Sequence, residues 1–331
     1  MNQPPMPPIG RLRALRSVEL LTPNFADAVD FYEEVWGLEV VEAEHSASWL
    51  RGTGEEHHAL RLTRSDTIGL GRLVFALGTP AEVDEAARRL RARGIALVTE
   101  PGPLDQVGGG YGLRFYDLDG RLIELSADTW AVTARGRDTP LPVGVTHAVL
   151  NTPDIDASVT FYQDVLGMRV SDWSEHQMAF LRCGTDHHCV AFNQAPWVSL
   201  NHVAYEMTSL DHFMRGLGRL RHHGITPEWG PGRHGPGNNT FSYFTDPTGL
   251  VCEYTTEVAQ IVEDTWICKV WRRTPELSDL WGTAGPPSAR IRAHMAGTPD
   301  GSPVTEPVPP PVDAPADAPA RTSTGTEGAA A

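Results

Sequence analysis

Lysine is almost missing from this chain: its 331 residues include one, Lys269. Arginine raises the basic total only to 27 against 42 acidic residues, a formal net charge of −15. That balance argues against nucleic acid or an anionic membrane as partner, because both select basic patches. No stretch approaches the roughly 18 consecutive apolar residues of a spanning helix. The opening MNQPPMPPIG has prolines where a secretion signal needs an apolar run, so a cytoplasmic protein is expected. Cysteine is also sparse. Cys183, Cys189, Cys252 and Cys268 show no CxxC spacing, which points to neither a thiolate metal site nor a disulfide framework and leaves reduced, buried thiols as the expectation. What is present, 40% apolar and 21% charged residues, is ordinary for a soluble globular chain of about two domains.

The chain repeats itself. FYEEVWGLEVVE from Phe31 returns as FYQDVLGMRVSD from Phe161, RLRARGI ending at Ile95 returns as RLRHHGI ending at Ile225, and His57-His58 returns as His187-His188, all at an offset of 130. DLDGRLIEL from Asp117 returns as DPTGLVCEY from Asp246 at 129. A register held over more than a hundred residues with one slip means two copies of one module. In the second copy VTHAVLNTP alternates as a strand does, Asp154 can cap a helix with Ile155, Val159, Tyr162 and Leu166 on one face, and Gly167 suits its end. LNHVAYEM reads as a further strand, followed by a helix capped by Ser209 and ended by Gly224. In the first copy Thr79-Pro80-Ala81-Glu82 combines a capping box with proline at the first helical position. Both copies close on a strand pair around an Asp-x-x-Gly turn. The expected fold is α+β: duplicated modules, each made of paired βαβ-like halves and richer in strand than helix.

The expected boundaries are 11–130 for the first module, 143–257 for the second, 258–295 for a Trp-rich extension and 296–331 for a disordered tail. RGRDTPLPVG has a linker's composition. Trp266, Trp271 and Trp281 suggest that the extension packs back onto the body, either covering a pocket or sealing an edge. The tail lacks hydrophobic periodicity and cannot offset its ordering entropy.

Candidate ligands are sought where the copies differ, since shared residues record the scaffold. His147 replaces Ser17, His202 replaces Arg72 and His234 stands near Gln106, whereas Glu253 has an acidic twin in Glu124. Two histidines and one carboxylate on three strands match the facial arrangement associated with non-haem Fe(II) oxygenases and suit iron or manganese. Two further patterns are set aside. Gly230-x-Gly232-x-x-Gly235 fits a dinucleotide expression, but it contains Pro231, reads as a loop and opens no helix. His222-His223 reads as surface residues that complement a helix C-terminus.

The second module resembles the C-terminal half of type I extradiol catechol dioxygenases of the vicinal oxygen chelate superfamily, with similarity over residues 14–257. His147 opens the module, His202 lies in an H-h-x-h-E strand and Glu253 follows a DP-x-G turn. The family's G-P-G-R-H-G occurs as Gly230 to Gly235, its H-x-x-A-[LF] string begins at His188, and its tyrosine nine residues after the signature histidine is Tyr243. The resemblance implies vicinal oxygen chelate modules built from paired βαβββ units, with one Fe(II), or Mn(II), held by His147, His202 and Glu253. It further implies that a catecholic small molecule is opened by O2 next to its hydroxyls, in aromatic catabolism, within a homo-oligomer for which a tetramer is expected.

Under that resemblance His188 moves a catechol proton and later returns one, while His234 and Tyr243 donate hydrogen bonds to the catecholate oxygen. Relatives that take acidic substrates can carry arginine five residues before the signature histidine. Trp229 stands there, so a neutral or apolar substituent or a fused ring is expected. Two other readings remain open: another metalloenzyme of the superfamily, such as a glyoxalase, an epimerase or a 4-hydroxyphenylpyruvate-type dioxygenase, and a non-catalytic resistance protein that sequesters an aromatic compound.

Overall fold

A computed structural model describes residues 6–135, 138–262 and 265–302. The first module runs β1 (Leu15–Thr22), α1 (Phe25–Asp30), β2 (Glu39–Ala43), β3 (Ala47–Arg51) and β4 (Leu60–Arg64), then β5 (Gly69–Ala76), α2 (Pro80–Ala92), β6 (Leu97–Pro103), β7 (Tyr111–Tyr116) and β8 (Leu122–Ala127). The second runs β9 (Val145–Thr152), α3 (Ile155–Asp164), β10 (Arg169–Ser174), β11 (Met178–Arg182) and β12 (Val190–Gln194), then β13 (Ser199–Glu206), α4 (Leu210–His222), β14 (Trp229–Arg233), β15 (Thr240–Thr245) and β16 (Val251–Thr256). Each module is thus a βαβββ unit used twice. The sheet orders are β2-β3-β4-β1-β5-β8-β7-β6 and, with the same connectivity, β10-β11-β12-β9-β13-β16-β15-β14. The extension adds β17 (Lys269–Trp271) parallel to β10, then α5 (Pro275–Ser278) and α6 (Ala289–Ala296).

The local chemistry read from the sequence is what starts and stops the helices. Asp154 accepts from Ala157 N at 3.0 Å and Ser209 from His212 N at 3.2 Å. Thr79 accepts from Glu82 N, and Glu82 reaches back to Gly78 N. α3 and α4 are followed by Gly167 at φ 72° and Gly224 at φ 78°, a left-handed conformation that glycine adopts without steric cost. The Asp-x-x-Gly turns are tied by Asp117 and Asp246, each accepting from backbone N–H groups two and four residues ahead.

The same turns join the modules. Tyr32 O–H donates to Asp246 and Tyr162 O–H to Asp117. These residues are repeats of one another, so the two contacts are related as the copies are. Trp36 of the first module is fully buried among Tyr205, Phe244 and Tyr254 of the second, its ring 3.9 Å from that of Tyr254.

Three expectations change. The signature segment is not a loop: Trp229–Arg233 is the edge strand β14, where a proline lacking its N–H is tolerated. The cysteines are free, but only Cys189 and Cys252 are buried, while Cys183 is half-buried and Cys268 exposed. Of the tail, residues 296–302 are described: Ala296 closes α6, and Asp300 N donates to Val198 O beside β13; the remainder, from 303, lies outside the described residues. Among the described residues no helix is long and apolar enough to cross a membrane.

Candidate metal centre and substrate pocket

β9, β13 and β16 are neighbours at the centre of the second sheet, and their register decides which side chains meet. Ala204 of β13 pairs with His147 on one side and Glu253 on the other. His147, His202 and Glu253 therefore converge, with one ligating atom from each lying within 4.8 Å of the others, all three buried. Glu253 Oε2 is 3.2 Å from His147 Nε2 and 3.1 Å from His202 Nε2. Ligands bonded at about 2.1 Å and set at right angles are separated by about 3 Å, so this spacing fits one divalent ion.

Unpaired atoms fit it as well. Glu253 Oε1 is buried without a hydrogen-bond partner, and His202 Nε2, although 3.1 Å from Glu253 Oε2, makes no well-aligned hydrogen bond, a costly state unless another group satisfies them. Behind the site, Asn201 Oδ1 lies 2.8 Å from His202 Nδ1 and turns Nε2 inward. Burial alone would raise the Glu253 carboxyl; the adjacent His147 and His202 instead hold it down at about 2, so it is an anion ready to ligate. Two imidazoles and a carboxylate are the donor set of iron and manganese rather than of a thiophilic metal.

His188 sits beside this centre, its ring 4.3 Å from that of His147. A chain of contacts fixes its proton. Asp172 lies 3.1 Å from His187 Nε2, and His187 Nδ1 lies 3.1 Å from His188 Nδ1. A carboxylate only accepts, so His187 Nε2 carries hydrogen; in the neutral imidazole its Nδ1 then accepts and His188 Nδ1 donates. The remaining His188 nitrogen, Nε2, is left with a lone pair. Burial, followed by the neighbouring His147, lowers His188 well below the ordinary histidine range and keeps it neutral. Gly237 packs against this pair: a Cβ there would stand 3.2 Å from His187 Nδ1 and from His188 Cε1.

On the other side, Ser278 O accepts from His234 Nδ1 at 2.9 Å, which leaves His234 Nε2 to accept from Tyr243 O–H at 2.9 Å. The two residues expected to donate side by side are therefore bonded to each other, with one proton between them. Trp229 stacks on Tyr243 at 5.1 Å and 12° and is pinned by its Nε1 donating to Gly285 O.

His147, His188, His202, His234, Tyr243 and Trp229 line a cavity of about 430 Å³, within the range of small-molecule sites. Val149, Met178 and Phe180 form one apolar wall, and Leu277 and Met295 of the extension another. The extension covers the pocket, as one of the two sequence readings had it, and Trp271 also donates to Asp172 behind the histidine chain. Sequence reasoning missed Arg272, Arg273 and Arg292, exposed residues of the extension that line the same cavity. No repeat partner or motif flags them; three added arginines beside a pocket-covering segment are visible only once the segment is placed.

The first module has the same register and a different occupant. Arg72, the counterpart of His202, is buried and ion-paired to Glu124 at 2.6 Å and to Glu19 at 2.9 Å. Arg114 and Gln106 also bond Glu124. A guanidinium supplies there the positive charge that a metal would supply in the second copy, and among the described residues only the second copy groups side chains that could hold an ion.

Comparison with known proteins agrees with this architecture. The family model described as Glyoxalase/Bleomycin resistance protein/Dioxygenase superfamily matches residues 14–125 and 144–254. Metapyrocatechase 2 of Cupriavidus necator is 30% identical over 53% of this chain and 60% of its own length, so that match spans less than two thirds of the relative. A manganese-dependent 2,3-dihydroxybiphenyl 1,2-dioxygenase of a Geobacillus species (genomosp. 3) is 26% identical over 70% of this chain and 80% of its own. Among solved structures, a Mn(II)-bound glyoxalase from Novosphingobium aromaticivorans superposes with a TM-score of 0.80 at 39% identity, covering 85% of this chain and 94% of that one. Duplicated βαβββ modules, a ligand set confined to the second and a family match over both place this chain in the glyoxalase/bleomycin resistance protein/dioxygenase superfamily.

Proposed function

We propose that this chain is an extradiol dioxygenase of the catechol 2,3 type, opening a catecholic ring next to its hydroxyls and placing both atoms of O2 in the product. The observation that carries the reading is the convergence of His147, His202 and Glu253 within one module, with both histidines on the wall of a cavity that also presents His188, His234 and Tyr243. Named relatives are iron-dependent and manganese-dependent extradiol enzymes, and Fe(II) or Mn(II) held by these three ligands would supply the electron path between ring and O2. His188 Nε2 accepts a proton from the entering catechol and returns it later. Turning the Tyr243 hydroxyl away from His234 presents its proton to a catecholate oxygen, where negative charge gathers. The apolar walls exclude water and strengthen both contacts. His188→Ala is expected to retain metal while kcat falls by about 10²-fold, the effect of a lost acid–base group; an unchanged kcat would remove this role.

A glyoxalase reading draws on the 39% identical structure. Against it stands the ligand set, since glyoxalase-type sites draw ligands from both modules and the first module offers Arg72 and Ser17 instead. Oxygen decides the matter. The Fe(II)-loaded chain should consume O2 with a panel of catechols and form a yellow product, whereas isomerisation of a hemithioacetal without O2 uptake would establish the other chemistry.

For the substrate, Trp229 and the apolar walls support a neutral, bulky or fused-ring catechol. 2,3-Dihydroxybiphenyl should therefore be cleaved with a higher kcat/KM than a catechol acid. The opposite ranking would assign Arg272, Arg273 and Arg292 the leading part and an anionic substituent to the substrate. We also propose a cytoplasmic homotetramer, with the first module contributing to its interface; a light-scattering mass equal to the single chain's 36.1 kDa would overturn the assembly.

A further inference from the structure

The sulfur atoms of Cys183 and Cys189 lie 3.2 Å apart. Cys183 follows β11 and is half-buried, while Cys189 precedes β12 and is buried. Both line a cavity of about 310 Å³ between the modules, bounded also by Arg13, Glu56, Val143 and Asp186, which shares no lining residue with the substrate pocket. A small polar oxidant can therefore reach the pair without entering the site. The chain between them, residues 184–188, carries His187 and His188. Cys189 is further tied to the metal ligands, because its carbonyl accepts from Ala148 N at 3.1 Å, next to His147.

We propose that Cys183 and Cys189 are a peroxide-responsive pair whose disulfide tethers the segment bearing His188 and slows turnover. The hydrogen bond that the Cys189 thiol makes to Cys183, together with burial, pushes the Cys189 thiol up, so the more exposed Cys183 reacts first. Its sulfur attacks hydrogen peroxide, forming an S–O bond as the O–O bond breaks, and gives a sulfenic acid and one water. Cys189 then displaces the hydroxyl, forming the S–S bond and a second water. Two thiols lose two electrons and two protons, and one peroxide is reduced to two waters. Closing the sulfurs from 3.2 Å to about 2.05 Å replaces a thiol contact with a covalent bridge across the segment that carries His188, where a misplacement of about 1 Å at a positioned catalytic group can cost about 10²-fold in rate.

The effect on turnover rests on the ring-cleavage reading; the disulfide does not. Mn(II)-loaded full-length protein is treated with hydrogen peroxide, alkylated and digested. The expected product is one peptide carrying Cys183 and Cys189 unalkylated and joined in an internal disulfide, lighter by two hydrogens than its dithiol form, with Cys252 and Cys268 still alkylated. After reloading with Fe(II), catechol cleavage is expected to remain depressed by about 10²-fold and to return only when dithiothreitol is added. Cys183→Ser, at the more exposed position, should show normal basal activity, no cross-link and full recovery with Fe(II) alone. Free thiols at both positions after treatment, pairing with Cys252 or Cys268, or a cross-linked protein of undiminished activity would each overturn the proposal. If no catechol is cleaved before treatment, the functional reading fails while the cross-link still stands or falls by mass.

Discussion

His202→Ala is expected to reduce bound metal from about one equivalent to near zero and to bring ring cleavage to background. Losing even an outer partner of a metal ligand typically costs 10- to 100-fold in affinity or activity, so removing one of three protein ligands should exceed about 10²-fold. The fold should survive. His202 faces a cavity that already exists, so no sealed void opens in the core, and the neighbouring main-chain pairs of β13 with β9 and β16 do not depend on the imidazole. Circular dichroism and thermal unfolding of the metal-free proteins should therefore coincide, while metal analysis after anaerobic Fe(II) loading separates them. Asn201→Ala offers a graded companion. It removes the partner of His202 Nδ1 and should weaken metal binding without abolishing it. A His202→Ala protein that keeps one equivalent of metal and full turnover would show that the ion, and with it the chemistry, lies elsewhere.

The grouping of His147 with His202 was legible in the sequence because Ser17 and Arg72 occupy the same strand positions of the other copy. Glu253 and His188, whose repeat partners are Glu124 and His58, carry no such signal and were reached only through the family motifs. The caps at Thr79, Asp154 and Ser209 were legible because capping is a local hydrogen bond between residues three apart. Other features had no such signal. The extension has no repeat partner, so nothing in its spacing shows that Trp271 backs the histidine chain or that three arginines reach the pocket. The edge strand at Trp229–Arg233 was hidden by its glycines and proline, which read as loop until β15 supplies the pairing. The bond between His234 and Tyr243 follows from the turn that brings Ser278 to His234, a contact across forty-four residues.

The first module tests the same comparison through stability. Arg72 is almost fully buried between Glu124, fully buried, and Glu19, so it neutralises carboxylates that have little access to water. Arg72→Met keeps most of the side-chain volume and removes the charge. Breaking a buried pair by deleting one partner typically costs about 3–5 kcal/mol, because the remaining charge is left uncompensated. Arg114, itself partly exposed, still reaches Glu124 at 2.7 Å, which places the expected loss near the lower end, about 3 kcal/mol. Adding Glu124→Leu should recover much of it, because a buried pair replaced by apolar groups of similar volume is often neutral, and the coupling in a double-mutant cycle measures the interaction directly. Urea unfolding of the four proteins gives all of these quantities. Metal content should stay at one equivalent throughout, because the ion-binding strands belong to the other copy. An Arg72→Met protein as stable as the parent would mean that this guanidinium does not take the place of an ion, and the parallel between the two modules would end at their shared topology.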